Sequence, residues 1–310
     1  MKRTAPRSFL SLADWSADEL LSMLARAREL RRMWHAGERP QTLLGRTLAM
    51  YFEKPSLRTH VTFESGMTQL GGHAILLRPE QVGIGTRESA ADVARNLSRW
   101  VDGIMARTFS HALVEQLAAE ASIPVINGLT DLLHPCQAMA DLQTVSEKME
   151  PKDARIAYVG DGNNVANSLL LIAAVLGLEL RVATPRSHRP AQRVVKQAHE
   201  LARRSGARLE LGEDPAEAVR GAHFVYTDTW TSMGQEAEAV QRRRIFASYQ
   251  VNEALLAHAP DAWVMHCLPA HRGEEITSEV LDGERSLVYE QAENRLHAQK
   301  AVLEAVMLRP

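Results

Sequence analysis

Cysteine is nearly absent: among 310 residues only Cys136 and Cys267 carry a thiol. They lie far apart, each inside a polar motif. This excludes a disulfide framework and points to reduced thiols in a cytoplasmic protein. A surplus of one charge is missing too. Lys and Arg number 36 against 38 Asp and Glu, a formal net charge of -2, so no basic field is offered to nucleic acid or an anionic membrane. No apolar run approaches the roughly 20 residues that span a bilayer. The start, Met1-Lys2-Arg3-Thr4-Ala5-Pro6-Arg7, is basic. No long apolar core with a cleavage site follows it, so no signal peptide is expected. Repeats and low-complexity tracts are also lacking. What is present is a globular composition, 45% hydrophobic and 24% charged, on a chain too long for one ordinary core and well suited to two domains.

Apolar runs alternate with helical patterns along the chain. An amphipathic helix opens it at about 16–33. Strands are expected at 47–52, 73–77, 103–106 and 123–126, with helices at 57–70, 89–100, 111–121 and 135–149. Polar Glu147-Lys148-Met149-Glu150-Pro151-Lys152-Asp153 is the best boundary. Beyond it strands are expected near 155–159, 179–183, 222–226 and 263–266, and 290–308 reads as a closing helix. Strand–helix alternation predicts α/β domains with parallel sheets wrapped on both faces. The expected division is 1–150, joined by the C-terminal helix 290–310 packing back on it, and 151–289.

In such sheets ligands bind beyond the carboxyl ends of strands, and polar clusters fall there. Phe52-Glu53-Lys54-Pro55-Ser56-Leu57-Arg58-Thr59 joins the first strand to a helix. Ser56, Arg58 and Thr59 therefore stand at a helix N-terminus, where open N–H groups and the dipole favour an anion such as phosphate. Arg107 closes the run Gly103-Ile104-Met105-Ala106. His134-Pro135-Cys136-Gln137 opens a helix after Pro124-Val125-Ile126, with Pro135 suited to its first position. Asp161-Gly162-Asn163-Asn164, Asp228 and Cys267-Leu268-Pro269 follow strands of the second half.

Each cluster has a bland alternative when read singly. Ser56 is a helix cap beside an exposed arginine, Arg107 a surface ion pair, and His134 a satisfied cap. Gly162-Asn163-Asn164 is a turn, Asp228 caps the next turn, and Cys267 is a small buried hydrophobe. His188 and His258 read as surface residues. Agreement among the clusters favours chemistry. Ser56, Arg58, Thr59, Arg107, His134 and Gln137 offer cations and neutral donors, suited to a phosphate with an adjoining carbonyl. Asn164, Asp228, Ser232 and Cys267 suit a zwitterion whose amine is held by a carboxylate. A cleft between the halves would bring a phosphorylated electrophile to an amine nucleophile.

These motifs, in this order, resemble the aspartate/ornithine carbamoyltransferase family, and within it the ornithine branch. Ser56-Leu57-Arg58-Thr59 is similar to the carbamoyl-phosphate signature Ser-Thr-Arg-Thr, and His134-Pro135-Cys136-Gln137 to the second motif. Asp228-Thr229-Trp230-Thr231-Ser232-Met233-Gly234 resembles the ornithine-side loop. His266-Cys267-Leu268-Pro269 and Gln291-Ala292-Glu293-Asn294-Arg295 complete a likeness running from about residue 8 to 308.

The resemblance implies transfer of the carbamoyl group of carbamoyl phosphate to the δ-amine of ornithine, giving citrulline and phosphate, with no cofactor and no metal. The first domain would bind carbamoyl phosphate and the second ornithine. Ser56, the Leu57 N–H, Arg58, Thr59 and Arg107 would hold the phosphate. His134, Pro135, Cys136 and Gln137 would lie at the carbamoyl end, the backbone of Cys267 and Leu268 and the side chain of Arg295 completing that site. Asn164, Asp228, Ser232 and Met233 would hold ornithine. By the same resemblance Arg58, Arg107, His134 and Cys267 would carry the chemistry, Cys267 as proton acceptor from the δ-amine. A trimer in the cytoplasm is implied, with neither nucleic acid nor membrane as partner. Departures from the family pattern are Leu57 for Thr, His60 for Arg, and Gln81 standing two positions before a glutamine that some members place in a neighbour's site.

The rivals are a sister enzyme using another amine, a dinucleotide-dependent dehydrogenase, and a non-catalytic module. The second draws on Gly160-Asp161-Gly162 but lacks a third glycine. Direction of flux is not written in the residues.

Overall fold

The computed structural model describes residues 7–232 and 234–308. They divide into two compact units, one holding the chain up to Ala140 together with the stretch from Asn294 on, the other holding Asp141–Glu293. The division falls within helices, whereas the polar segment 147–153 was the expected boundary.

The first unit is built on β1 (Thr47–Phe52), β2 (His73–Leu77), β3 (Gly103–Arg107) and β4 (Val125–Leu129), all parallel, in the order β2-β1-β3-β4. The inner strands are runs of buried residues, as a sheet covered on both faces requires. Tyr51, Ile104, Ala106 and Val125 pack against Val114 and Leu117 of the helix His111–Glu120; burying one such large apolar side chain stabilises by about 1.5–3 kcal/mol. The opening helix, Ala17–His35, starts in a capping box of Ser16 with Glu19.

The fourth strand begins and ends later than expected, at 125–129 instead of 123–126. Asn127-Gly128 has the look of a turn, yet both residues are buried in the strand. A side chain at Gly128 would meet Met105 Sδ at 2.4 Å, so the dipeptide reflects close packing and not a bend. Phe9 runs alongside: its N–H donates to Val125 O at 2.8 Å, and Asn127 N–H donates to Phe9 O at 2.9 Å.

From Asn294 on, the closing helix Val288–Met307 belongs to this first unit. Glu304 accepts from Arg26 Nε at 2.6 Å, from Arg26 Nη2 at 2.9 Å and from Thr42 Oγ1 at 2.6 Å. Lys300 Nζ donates to Gln69 Oε1 at 3.0 Å.

The second unit contains β5 (Arg155–Val159), β6 (Glu179–Ala183), β7 (Arg208–Gly212), β8 (Phe224–Thr227) and β9 (Trp263–His266), parallel, in the order β7-β6-β5-β8-β9. β7 was not expected from the sequence. It is an exposed edge strand whose charged Arg208 and Glu210 mask its short alternation. The helix Asn164–Leu176 is apolar almost throughout and stops at Gly177, whose φ is 74°. Ala157, Val159, Val225 and Val264 pack against Trp230, Phe246 and Val251.

Both sheets reverse their winding. β1 is followed by β2 on one side and β3 on the other; β5 is followed by β6 and β7 on one side and by β8 and β9 on the other. Such a reversal opens a crevice at the strand ends.

Candidate functional site

At the β1/β3 reversal, β1 leads through residues 53–56 into the helix Leu57–Gln69. Ser56 caps this helix, its Oγ accepting from Thr59 N–H at 3.2 Å. The cap does not exclude an anion-binding role, because the other N–H groups of the first turn have no partner within the helix. Leu57 is 75% exposed and can offer the socket only its N–H. Thr59 is buried, and its Oγ1 accepts from Arg107 Nη1 at 3.2 Å and from Arg295 Nη2 at 3.1 Å. With both lone pairs engaged, the hydroxyl keeps its proton to offer a ligand. Arg295 also donates through Nη1 to Gln137 Oε1 at 2.6 Å. One hydroxyl thus holds two guanidinium groups side by side, and Arg107 is a buried part of the set instead of a surface ion pair.

His134 accepts through its carbonyl from Gln137 N–H at 3.1 Å at the start of the helix Pro135–Ser146. Its imidazole is buried; burial first, then the charges of Arg295, Arg107 and Arg58, hold its pKa well below 6.5. At neutral pH it is a neutral ring among cations, able to donate one N–H without adding charge. Cys136 is fully buried with Sγ 3.5 Å from Asn127 O, and burial pushes its thiol up to about 12. Only its backbone can serve a ligand. His60 pairs with Glu64 at 2.9 Å one turn along the helix, and Gln81 Oε1 accepts from Arg78 N–H at 3.1 Å. Lys54, unmarked in the sequence reading, is buried against Asp131 and lies 4.2 Å from the centre of the Phe109 ring.

At the β5/β8 reversal, Asp228 follows β8. Its Oδ1 accepts from Cys267 Sγ at 2.9 Å and its Oδ2 from Asn163 Nδ2 at 2.7 Å. Asn163, not Asn164, is the residue bonded to Asp228. It also caps the helix Asn164–Leu176, its Oδ1 accepting from Val165 N–H at 2.9 Å and Ala166 N–H at 3.2 Å. Asn164 is the first residue of that helix. Ser232 N–H donates to Gln235 Oε1 at 3.1 Å. Met233 lies outside the described residues.

Two supports were missed in the sequence. Arg242, 4% exposed, pairs with Asp161 through Nη2 and donates through Nε to Trp230 O, bracing the segment after Asp228. Burial raises the Asp161 carboxyl above its ordinary value; Arg242 opposes this and Asp228 adds to it. The second is the ring of His266, whose Nε2 lies 3.1 Å from Glu275 Oε1 and whose Nδ1 accepts from Leu268 N–H at 2.9 Å.

Asp228, His266 and Cys267 bring ligand atoms within 4.8 Å of one another, but both ring nitrogens of His266 are already engaged. The set does not form a metal centre. Gly162 N–H donates to His188 O at 2.9 Å, and a side chain at Gly162 would meet Pro190 N at 2.2 Å. Backbone covers the face where a dinucleotide phosphate would lie, which removes the dehydrogenase reading. His188 is partly exposed, as expected of a surface residue, with its ring 4.9 Å from that of Phe246.

Two family models match: aspartate/ornithine carbamoyltransferase, carbamoyl-P binding domain, over residues 7–147, and the Asp/Orn binding domain of the same family over 152–306. An ornithine carbamoyltransferase of Anoxybacillus flavithermus is 54% identical over 303 residues, 97% of this chain and 96% of that protein. An anabolic ornithine carbamoyltransferase of Pyrococcus furiosus is 52% identical over 306 residues, covering 98% and 97%. A solved structure of ornithine carbamoyltransferase from Pyrococcus furiosus superposes with a TM-score of 0.95 at 50% identity, covering 99% of this chain and 98% of the other. One from Campylobacter jejuni, an anabolic ornithine carbamoyltransferase, gives 0.91 at 38%, covering 96% and 97%.

Proposed function

The chain belongs to the aspartate/ornithine carbamoyltransferase family, and from that premise we propose that it transfers the carbamoyl group of carbamoyl phosphate to the δ-amine of L-ornithine. The observation that carries the chemistry is neutral His134 surrounded by Arg58, Arg107 and Arg295. Phosphate oxygens match the guanidinium forks and the N-terminus of the helix Leu57–Gln69. As the amine attacks the planar carbamoyl carbon, the carbonyl oxygen gains negative charge. Arg58, the Thr59 hydroxyl and His134 donate to it, and Arg107 offsets charge on the departing phosphate.

In the second unit Asp228 and Cys267 serve the amine. The thiol proton points at Asp228 Oδ1, which couples the sulfur to the carboxylate that faces the δ-ammonium in this reading. A proton passing from nitrogen to Sγ as the thiol proton passes to Asp228 leaves a neutral nucleophile and a balanced pair. Asn163 steadies Asp228 throughout, and Ser232 and Met233 belong to the ornithine side. By the same reading residues 1–150 with the closing helix serve carbamoyl phosphate and 151–289 serve ornithine. Assembly as a trimer in the cytoplasm, toward arginine synthesis, is part of the proposal.

A citrulline assay with ornithine, putrescine, aspartate and acetylornithine as competing acceptors tests this. Turnover confined to ornithine is expected. Preference for another amine would reassign the acceptor, and no turnover with any would overturn the enzymatic reading.

A further inference from the structure

We propose that Glu275 and His266 are positioning residues that fix the Cys267-Leu268 turn through the backbone N–H of Leu268. This rests on the reading above, in which that turn serves the reacting groups.

His266 ends β9, and both it and Glu275 are 0% exposed. A carboxylate so placed is costly unless hydrogen-bonded. Glu275 Oε1 meets the ring at 3.1 Å and accepts from His271 N–H at 2.5 Å. A backbone N–H can only donate, so His266 Nδ1, 2.9 Å from Leu268 N, holds a lone pair. The ring proton therefore sits on Nε2 and is directed at Glu275. The main chain of His266 is fixed as well: its N–H donates to Gln291 Oε1 at 2.9 Å, and Gln291 Nε2 donates to Asp141 Oδ1 at 2.6 Å.

Leu268, at φ 58°, is the one residue other than glycine with positive φ among those described. A branched side chain held there is strained and persists only where the surroundings fix it. The bond to Nδ1 is the observed contact that holds its N–H. The same turn sets Cys267, two bonds of backbone away, against Asp228. His266 cannot itself accept a proton from Cys267, because its only lone pair is spent on Leu268. Its action is therefore on geometry, not on proton transfer.

Neutron diffraction from a deuterated crystal of the unliganded protein tests the tautomer without mutation: a deuteron on Nε2 and none on Nδ1 is expected, and one on Nδ1 overturns the proposal. Kinetics test the consequence. His266→Leu removes the acceptor and should lower kcat by about 100-fold, the scale of a misaligned reacting group; it also strands the buried Glu275 carboxylate, so the thermal midpoint should fall as well. His266→Asn, whose Oδ1 stands near the place of Nδ1, should recover most of that loss. Likewise Glu275→Gln, which keeps an acceptor for the ring, should recover most of what Glu275→Leu loses. Glutamine no better than leucine would mean that charge, not position, is required, and the proposal fails. If the leucine variants do not fold, the neutron map and the kcat of Glu275→Gln against wild type decide, a 100-fold loss in the latter counting against it. A wild type that makes no citrulline sinks the proposed activity but leaves the tautomer result standing.

Discussion

Cys267 donates its thiol proton to Asp228 across 2.9 Å, so the two act as one unit, and thiol chemistry at this protein reports on it directly. Cys136 is buried with its thiol pushed up to about 12, far from the thiolate that reacts. One equivalent of a thiol reagent per chain, located at Cys267 by peptide mass, is therefore expected without first replacing Cys136. Carbamoyl phosphate with an unreactive ornithine analogue should protect. Cys267→Ser should lower kcat and reshape its pH profile; unchanged kinetics would return the residue to a packing role.

Asp228→Asn separates the substrates. The carboxylate accepts from Cys267 and Asn163 at once, whereas an amide has one oxygen and must leave one donor unpaired. A charge-assisted bond is worth ~1.5–3 kcal/mol, so the ornithine KM should rise about tenfold or more. Calorimetry should find carbamoyl-phosphate affinity within a few-fold of wild type; collapse of that affinity with ornithine unaffected would reverse the allocation.

The guanidinium set should be intolerant even of lysine. Arg58→Ala is expected to cut kcat/KM by at least about 100-fold with the fold intact by circular dichroism. Arg295→Lys should also cost strongly, because an ammonium cannot reach Gln137 Oε1 and Thr59 Oγ1 with the fixed fork seen here. Near-wild-type kcat/KM in both variants would dismiss the socket.

His134 gives stability a pH signature. Its folded pKa lies well below 6.5, so below the unfolded value the unfolded chain binds the proton more readily. The stability it contributes is complete above about pH 6.5 and drains as pH falls from there toward the depressed folded value. Urea midpoints should drop from pH 7.5 to 5.5 more steeply in wild type than in His134→Gln. Parallel curves would show that the ring titrates normally.

Glu304→Ala tests how the closing helix is held. Arg26 and Thr42 lose their shared acceptor, at a cost of about 2 kcal/mol. The Tm should fall by several degrees. A loss confined to activity, with Tm unmoved, would contradict this purely mechanical role.

Strand-to-helix junctions were legible because hydrophobic period and polar punctuation coincide at Phe52–Thr59 and after β5 and β8. Single side chains were less so. Asn163 and Asn164 differ only in helix phase, which decides the residue that caps and reaches Asp228. Arg242 sits in a run of arginines that reads as solvated surface, and only tertiary burial selects it from Arg243 and Arg244. Glu275 carries no signal at all, since a buried carboxylate and an exposed one look alike in sequence. Arg295 was reached only through the family resemblance, because a cation in mid-helix has no local mark of its partner nearly the whole chain away. β4 extends to Leu129 because Asn127 and Gly128 are buried in the strand, a polar residue and a glycine whose types do not signal β-structure.

That distance has a consequence for synthesis. Thr59 leaves a ribosome 236 residues before Arg295, yet both belong to one hydroxyl-centred cluster. A nascent chain stopped short of the closing helix would carry Ser56, Arg58 and Arg107 with one guanidinium fork missing and the Arg295–Gln137 bond unmade. If the proposed socket binds phosphate, its affinity should rise only once the closing helix has docked Arg295 beside Thr59, so binding would report on that late docking.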